Sequence, residues 1–384
     1  MDLHSKYPGL SDLKARARKR IPHFAFEYLD SGTGAEATTR RNREKLDEVL
    51  FMPSVLHGMQ NPDLSIRLLG ETLSLPFGVA PVGMSGLMWP GAEHLLAQMA
   101  ARKGIPYSLS TVATQSPEDM AASLGEHGWF QLYPPKDPTI LADMLERVRT
   151  AGFRTIALTV DVPTPSRRER QTRSGLTYPP MLTPRILWQI VRRPAWALSL
   201  LPHGRPRMRT LDKYMREDRS LPPTEHIGYI LRASPDMDYL RRLRDGWQGT
   251  LMIKGLMDPE QAKVLEREGV DAIWLSNHAG RQFDGSPSSI EMLPAMRAAV
   301  SLPIIFDSGI AGGLDILRAL ALGADFVMLG RAWHYAVGAL GARGPDHLAE
   351  VLERDLISNL GQIGVETLTD LPTRLVPLPE GFDR

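Results

Sequence analysis

The stretch from Leu275 to Gly285, LSNHAGRQFDG, sets a proton-transfer group and an anion-binding group on one short loop. An apolar run, Asp271 to Leu275, leads straight into it and reads as a strand. His278 titrates near neutral pH, and the planar fork of Arg281 suits a carboxylate. Together they could take the proton of a hydroxyl while holding an acid group beside it. A histidine three residues before an arginine also fits a solvated loop with a structural histidine. The pair therefore gains weight only if other elements bring polar groups to the same place.

Those elements are legible from Leu75 onward, where β-branched and apolar runs alternate with helical patterns. Strands are predicted at Phe77 to Pro81, Tyr107 to Ser110, Trp129 to Leu132, Thr155 to Val160, Leu251 to Lys254, Ala272 to Leu275, Ile304 to Phe306 and Phe326 to Leu329. Between them lie helices such as His94 to Lys103, closed by Gly104, and Pro138 to Thr150, closed by Gly152. Eight such repeats predict an α/β fold, a closed (β/α)8 TIM barrel, over one domain of residues 1–384. An open doubly wound sheet is the runner-up, but its GxGxxG signature is replaced after the first strand by APVGMSG.

Two segments fall outside the repeat. Residues 1–70 form a helical and irregular N-terminal extension whose first helix, SDLKARARK, is expected to start at a capping Ser11. Residues 164–250 form a long insertion after strand four. Within it, Ile186 to Leu201 (ILWQIVRRPAWALSLL) combines two tryptophans, an apolar face, two arginines and a central proline. It reads as an interfacial membrane anchor, a lid over the site, or a helix pair packed on the barrel wall.

Composition narrows the classes. A formal net charge of +1 in 384 residues, with 23% charged, gives no basic field for nucleic acid. Zero cysteines exclude a disulfide framework, a thiol nucleophile and Cys-based metal sites, and no metal is expected, so redox chemistry would need a bound cofactor. The polar N-terminal segment predicts no secretory leader, and no stretch is long enough to span a bilayer. A cytoplasmic protein is expected.

Barrel enzymes carry their chemistry at the carboxyl ends of strands. Here strand one ends at Pro81, Val82 and Gly83, strand two at Ser110, and strand three carries Gln131 and Tyr133. Strand four ends in Thr159 and Asp161, strand five in Lys254, strand six in Ser276, His278 and Arg281. Strands seven and eight end in FDSGIAGG and LGRA, glycine-rich turns whose helix N-termini could offer backbone N–H groups to a phosphate, with Arg331 adding a charge. An apolar centre lined by Ser110, Gln131, Thr159 and Lys254 beside a phosphate end suggests a phosphorylated ring system over the barrel mouth, and flavin mononucleotide (FMN) fits. Lys254 would then stabilise negative charge on the ring, or else pair with a barrel carboxylate. Asp161 either orients His278 or caps the turn before Pro163. Arg168 is a candidate second carboxylate clamp, with Arg167 and Arg170 as competitors.

The segments FEYLDSGTGAE, RRNRE, LPFGVAPVGM, GIPYSLSTVAT, WFQLY, LTVDVPTP, IKGLMDPE, SNHAGRQFDG, IIFDSGIAGG and ALGADFVMLGRA carry a resemblance from about Phe26 to Leu371. The chain resembles the FMN-dependent 2-hydroxy-acid oxidase and dehydrogenase family, which includes glycolate oxidase, mandelate dehydrogenase and bacterial L-lactate dehydrogenase. APVGM and TVDVPTP look most like the L-lactate dehydrogenase branch. The resemblance implies that His278 takes a proton while the substrate C2 gives its electrons, as hydride or through a carbanion, to the flavin. It implies that Arg281 and Arg168 hold the carboxylate, that Tyr28 and Tyr133 bond to the substrate, and that Asp161 supports His278. Pro81, Val82, Gly83, Ser110, Gln131, Thr159, Lys254 and Ser276 match ring-binding positions, and Asp307, Gly309, Gly330 and Arg331 the phosphate and ribitol side.

By the same resemblance the expected reaction is oxidation of an L-2-hydroxy acid, most like L-lactate, with electrons passed to a quinone or another acceptor. A homotetramer peripheral to the inner face of the cytoplasmic membrane is the expected assembly. Alternatives are a mandelate-type dehydrogenase, an oxidase using dioxygen, a member acting on an unusual or peptide-derived hydroxy acid, and a noncatalytic, flavin-free membrane-surface module. Two departures stand out: Ala311 replaces the family's usual arginine after DSGI, and Ala279 the first glycine of its usual SNHGG. A lost charge-assisted contact at Ala311 would weaken cofactor binding by about 1.5 to 3 kcal/mol unless another group compensates. Val112 stands where glycolate oxidase has a tryptophan, so with Gly83 the pocket is expected to take side chains larger than glycolate's.

Overall fold

The computed structural model describes residues 2–176, 181–215, 231, 234–379 and 381–382. Residues 177–180, 216–230 and 232–233 of the expected 164–250 insertion lie outside these.

Eight parallel strands close into a barrel, each beside its neighbours in chain order and the last beside the first. They are β3 (Phe77–Val79), β4 (Tyr107–Ser110), β5 (Gly128–Leu132), β6 (Thr155–Thr159), β7 (Thr250–Leu256), β8 (Ala272–Leu275), β9 (Ile304–Phe306) and β10 (Phe326–Leu329). Their residues are buried almost throughout, as expected of strands covered by helices outside and side chains within. Ala80, Trp129, Ala157, Met252, Trp274, Ile305, Phe326 and Met328 fill the interior. An antiparallel hairpin, β1 (Ile66–Leu68) and β2 (Glu71–Leu73), adds Leu68 and Leu73 to that same cluster and so closes one end of the barrel. The other end, where the strands finish, is left for chemistry.

Register decides which side chains meet there. Ser110 pairs with Gln131 across β4 and β5, and Thr159 with Lys254 across β6 and β7. The β7–β8 register shifts between Lys254 and Leu256, a bulge of the kind that re-aims side chains beside sites.

The N-terminal helix spans Leu10–Arg20. Its N-cap is Gly9 and not Ser11: the Asp12 carboxylate accepts the Gly9 N–H at 3.1 Å and leaves Ser11 inside the first turn. Arg16 and Arg20 donate to the Ala339 carbonyl of the Arg331–Leu340 helix. The following helix, His23–Asp30, carries Tyr28 to the barrel mouth. Proline divides the Ile186 to Leu201 segment into two helices, Pro184–Val191 and Pro194–His203. Its two tryptophans have opposite fates. Trp196 is buried, edge-on to Phe24 at 6.0 Å, and donates to the Leu87 carbonyl, whereas Trp188 is 62% exposed. Exposed Leu187, Val191, Leu198 and Leu201 extend the apolar ridge around Trp188.

Candidate functional site

The strand ends build a polar chain one bond at a time. Ser110 Oγ donates to Gln131 Oε1 at 2.7 Å, and Gln131 Nε2 donates to Thr159 Oγ1 at 2.9 Å. Lys254, almost fully buried, donates to Ser276 Oγ at 2.9 Å and pairs with Asp307 at 3.1 Å. The carboxylate pairing weighed for Lys254 is therefore present, yet Lys254 also lines the cavity. An ammonium has three donors, so one N–H remains for a ligand. Asp307 is heavily engaged, accepting also from Trp274 Nε1, Ser276 Oγ and Ser308 Oγ. Ser276 does not reach the cavity: fully buried, it sits behind Lys254 and joins that lysine to Asp307. The contacts it makes position Lys254, and its ring-binding role stays what the resemblance implies.

His278 lies at the end of the β8 loop, with Nδ1 3.1 and 3.2 Å from the two oxygens of Asp161. A carboxylate only accepts, so Nδ1 carries the proton and Nε2 keeps a free lone pair. Asp161 thus orients His278. Burial pushes His278 below the usual histidine range; Asp161 opposes that, and Lys254 and Arg168 add to it. The histidine therefore rests neutral, as a base should. Burial would raise the Asp161 carboxyl, but His278, by its charge whenever the imidazole is protonated and by its hydrogen bond, outweighs it together with Lys254 and holds Asp161 below the ordinary carboxylate range. Gly255, at φ +96, makes room: a Cβ there would come within 2.4 Å of the Asp161 carboxyl carbon.

Two arginines grip the end of the His23–Asp30 helix. Arg281 Nη1 donates to the carbonyls of Leu29 (3.0 Å) and Ser31 (2.6 Å), and Nη2 to that of Tyr28 (2.8 Å). Arg331 Nε donates to Leu29 at 3.1 Å, and Nη2 to Ser31 and Ala279. Carbonyls at a helix C-terminus carry partial negative charge and lack partners in the helix, so both arginines are well placed. Each spends three of five donors and keeps two for a ligand. Burial, with Arg168 and Arg331 nearby, pushes Arg281 below its ordinary range, a cost that an entering carboxylate would relieve. Of the three competing arginines only Arg168 lines the cavity. Arg170 is bound to Glu27, Asp30 and Glu36. Tyr28 Oη donates to the Gly83 carbonyl at 3.2 Å, and burial beside Asp161 pushes the Tyr133 hydroxyl far above its usual range, keeping it a donor.

Tyr28, Tyr133, Arg168, Lys254, His278, Arg281 and Arg331 share one cavity of about 560 Å³, which also takes in Pro81, Val82, Gly309, Gly330 and, from the 164–250 segment, Met208 and Leu231. That volume suits a tricyclic ring with a phosphorylated side chain. The donor set fits too: the amide of Gln131, the hydroxyls of Ser110 and Thr159, the ammonium of Lys254, and Arg331 with the Gly309 and Gly330 turns all line it. The turns themselves differ from expectation. At the Gly313–Ala321 helix, the Gly313 and Leu314 N–H groups donate to Asp355 and the Ala311 N–H to Asp315, so the strand-seven amides are already capped. The Arg331–Leu340 helix has no side-chain cap, which leaves its N-terminus open. Beside Ala311 stands Arg43, from the helix Ala37–Asp47, donating to the Gly309 carbonyl and paired with Asp315 and Asp47. Strand-end reasoning passed over Arg43 because it precedes the barrel, although the RRNRE motif contains it. Among the described residues no cluster of three or more histidines and carboxylates could hold a metal ion.

A family model described as FMN-dependent dehydrogenase matches residues 17–377. The chain is 39% identical over 367 residues to an L-lactate dehydrogenase of Xanthobacter autotrophicus, covering 94% of each. It is 38% identical over 369 residues to an L-lactate dehydrogenase of Acinetobacter baumannii, covering 94% of this chain and 96% of that one. Among solved structures it is similar to the monotopic membrane protein (S)-mandelate dehydrogenase, with a TM-score of 0.88, 32% identity, and coverage of 96% of this chain and 98% of the other.

Proposed function

Since the chain belongs to the FMN-dependent dehydrogenase family, we propose that its barrel oxidises an L-2-hydroxy acid, with L-lactate as leading substrate, to the 2-oxo acid with FMN as cofactor. The observation that carries this reading is the convergence of His278, backed by Asp161, with Arg281 and Arg168 on the same cavity as Lys254.

FMN, when bound, supplies the two-electron acceptor. The free Nε2 of His278 takes the hydroxyl proton as the C2 electrons leave, and Asp161 stabilises the imidazolium that results. Arg281 and Arg168 clamp the carboxylate, so that C2 is held in one orientation. Tyr28 and Tyr133 hydrogen-bond the substrate and narrow its freedom. Pro81, Val82, Gly83, Ser110, Gln131 and Thr159 hold the ring, and the Lys254 ammonium favours negative charge on it. Gly309, Gly330 and Arg331 hold the phosphate side, with Asp307 fixing Lys254 and Ser276.

We further propose a homotetramer bound peripherally at the inner face of the cytoplasmic membrane, passing electrons to a quinone. The exposed ridge of Leu187, Trp188, Val191, Leu198 and Leu201 supports docking over the lid reading, because the Ile186 to Leu201 segment adds no side chain to the cavity wall among the described residues. No helix among those residues is long and apolar enough to cross a membrane.

Anaerobic mixing of the FMN-loaded protein with L-lactate, L-mandelate and glycolate in turn, following flavin absorbance, tests the reaction. Bleaching by L-lactate first is the expected result; bleaching by mandelate alone would transfer the substrate to the mandelate-type alternative. Reoxidation by a quinone analogue against dioxygen then separates dehydrogenase from oxidase, and sedimentation reads the assembly.

A further inference from the structure

A second cleft, of about 570 Å³, opens between the Leu10–Arg20 helix and the hinge joining Pro184–Val191 to Pro194–His203. Its wall holds Lys6, Arg16, Lys19, Arg20, Arg192 and Arg193 against one carboxylate, Asp12, which already caps the Gly9 N–H. Six cations and one anion leave five positive charges in one cleft of a chain whose net charge is +1. The described contacts of these cations are to carbonyls and rings. Arg16 and Arg20 donate to Ala339, and Arg193 to Ile21. Arg20 lies over Trp89 at 4.4 Å, Arg16 over Tyr7 at 5.2 Å, and Arg192 over Trp188 at 5.7 Å. Burial and the nearby Arg16 and Arg343 charges push Arg20 below its ordinary range, so added anionic charge would be welcome.

The Arg192 and Trp188 contact joins this cleft to the exposed apolar ridge. Side by side, they match the two layers of a bilayer surface: apolar side chains for the acyl boundary and cations for the phosphate level. A second copy meeting this cleft across a two-fold axis would bring the same cations and repel. We propose that this cleft seats the headgroup phosphates of anionic phospholipids and so adds charge selectivity to the membrane docking. The proposal rests on the docking reading given above.

Co-sedimentation of the FMN-loaded enzyme with vesicles tests both, using phosphatidylcholine alone and phosphatidylcholine with about one-third phosphatidylglycerol. The wild type is expected to bind the anionic vesicles on the order of tenfold tighter or more, a preference lost in high salt. The double charge reversal Lys19→Glu with Arg192→Glu should remove the preference while leaving flavin content, melting temperature and residual binding to neutral vesicles intact. Trp188→Asp with Leu201→Asp should abolish binding to both vesicles. Equal wild-type binding to the two vesicles, or an unchanged preference after charge reversal, overturns the headgroup site and leaves docking standing. A charge reversal that alters the size of the lipid-free assembly assigns the cleft to contacts between copies and overturns it too. Absence of binding to any vesicle removes the docking reading and the site together.

Discussion

The protonation of His278 is set by opposing neighbours, and this makes its role testable by pH. Because burial holds its folded pKa below the ordinary histidine value, the base stays competent as pH falls until His278 finally protonates. The acid limb of kcat/KM for L-lactate should therefore lie below the usual histidine range. Asp161→Asn removes the carboxylate that raises the His278 pKa, so the limb should move to still lower pH while the rate falls; a limb moving upward would reject the pairing. His278→Ala should retain flavin and slow its anaerobic reduction by about 10²- to 10⁴-fold, measured by stopped flow. Arg281→Lys is a different perturbation, because the guanidinium also ties down the carbonyls of Tyr28, Leu29 and Ser31. A point charge cannot reproduce that fork. We expect kcat/KM to drop by about 10- to 100-fold, and denaturant unfolding to show a loss of about 1 to 3 kcal/mol.

At the scale of elements, the loop after β8 is strained where it acts. His278, Ala279 and Gly280 all have positive φ, at 54, 53 and 71 degrees. Such conformations cost about 1 kcal/mol or more at a side-chain-bearing residue and are held only by their surroundings. Here Asn277 accepts the Gly280 N–H, Ser308 the Ala279 N–H, and the Ala279 carbonyl receives Arg331. Ala279→Gly should relieve the strain and raise unfolding stability by about 0.5 to 1 kcal/mol, less the flexibility it adds to the unfolded chain. A lower urea midpoint for this variant would show that the strain at Ala279 is smaller than the chain entropy glycine adds. The strands were readable because each is a short apolar run and most lead into polar residues, and the barrel register then brought Ser110 to Gln131 and Thr159 to Lys254. What could not be read was set by tertiary partners. Asp355, far along the chain, caps the amides of Gly313 and Leu314, Arg43 approaches from outside the barrel, and Ser276 hides behind Lys254. Periodicity reports none of these, and Gly9 displaced Ser11 as a cap because Asp12 reached back to it.

At the scale of the whole molecule, one short helix connects the catalytic cavity to the exposed ridge. The His23–Asp30 helix offers its C-terminal carbonyls to Arg281 and Arg331. From its other end, the Phe24 N–H donates to Gln189 in the first of the paired helices, and the Phe24 ring packs on Trp196 in the second. Arg193 adds a bond to the Ile21 carbonyl just before it. The inward side of the helix pair is thus fixed to the frame that holds the substrate arginines, while Trp188 and Leu201 face away from it, 62% and 80% exposed. Chemistry and docking should separate cleanly when only the outer side chains change. Trp188→Asp with Leu201→Asp should leave the rate of flavin reduction by L-lactate within about twofold of wild type, since exposed positions rarely disturb packing. Turnover with a long-chain quinone embedded in vesicles should fall sharply, while turnover with a water-soluble acceptor is retained. Equal losses with both acceptors would mean that the ridge supports the barrel and does not meet a membrane. By contrast, Trp196→Ala should cost about 3 to 5 kcal/mol in unfolding stability and slow both reactions, because its cavity opens against Phe24 and the frame itself loosens.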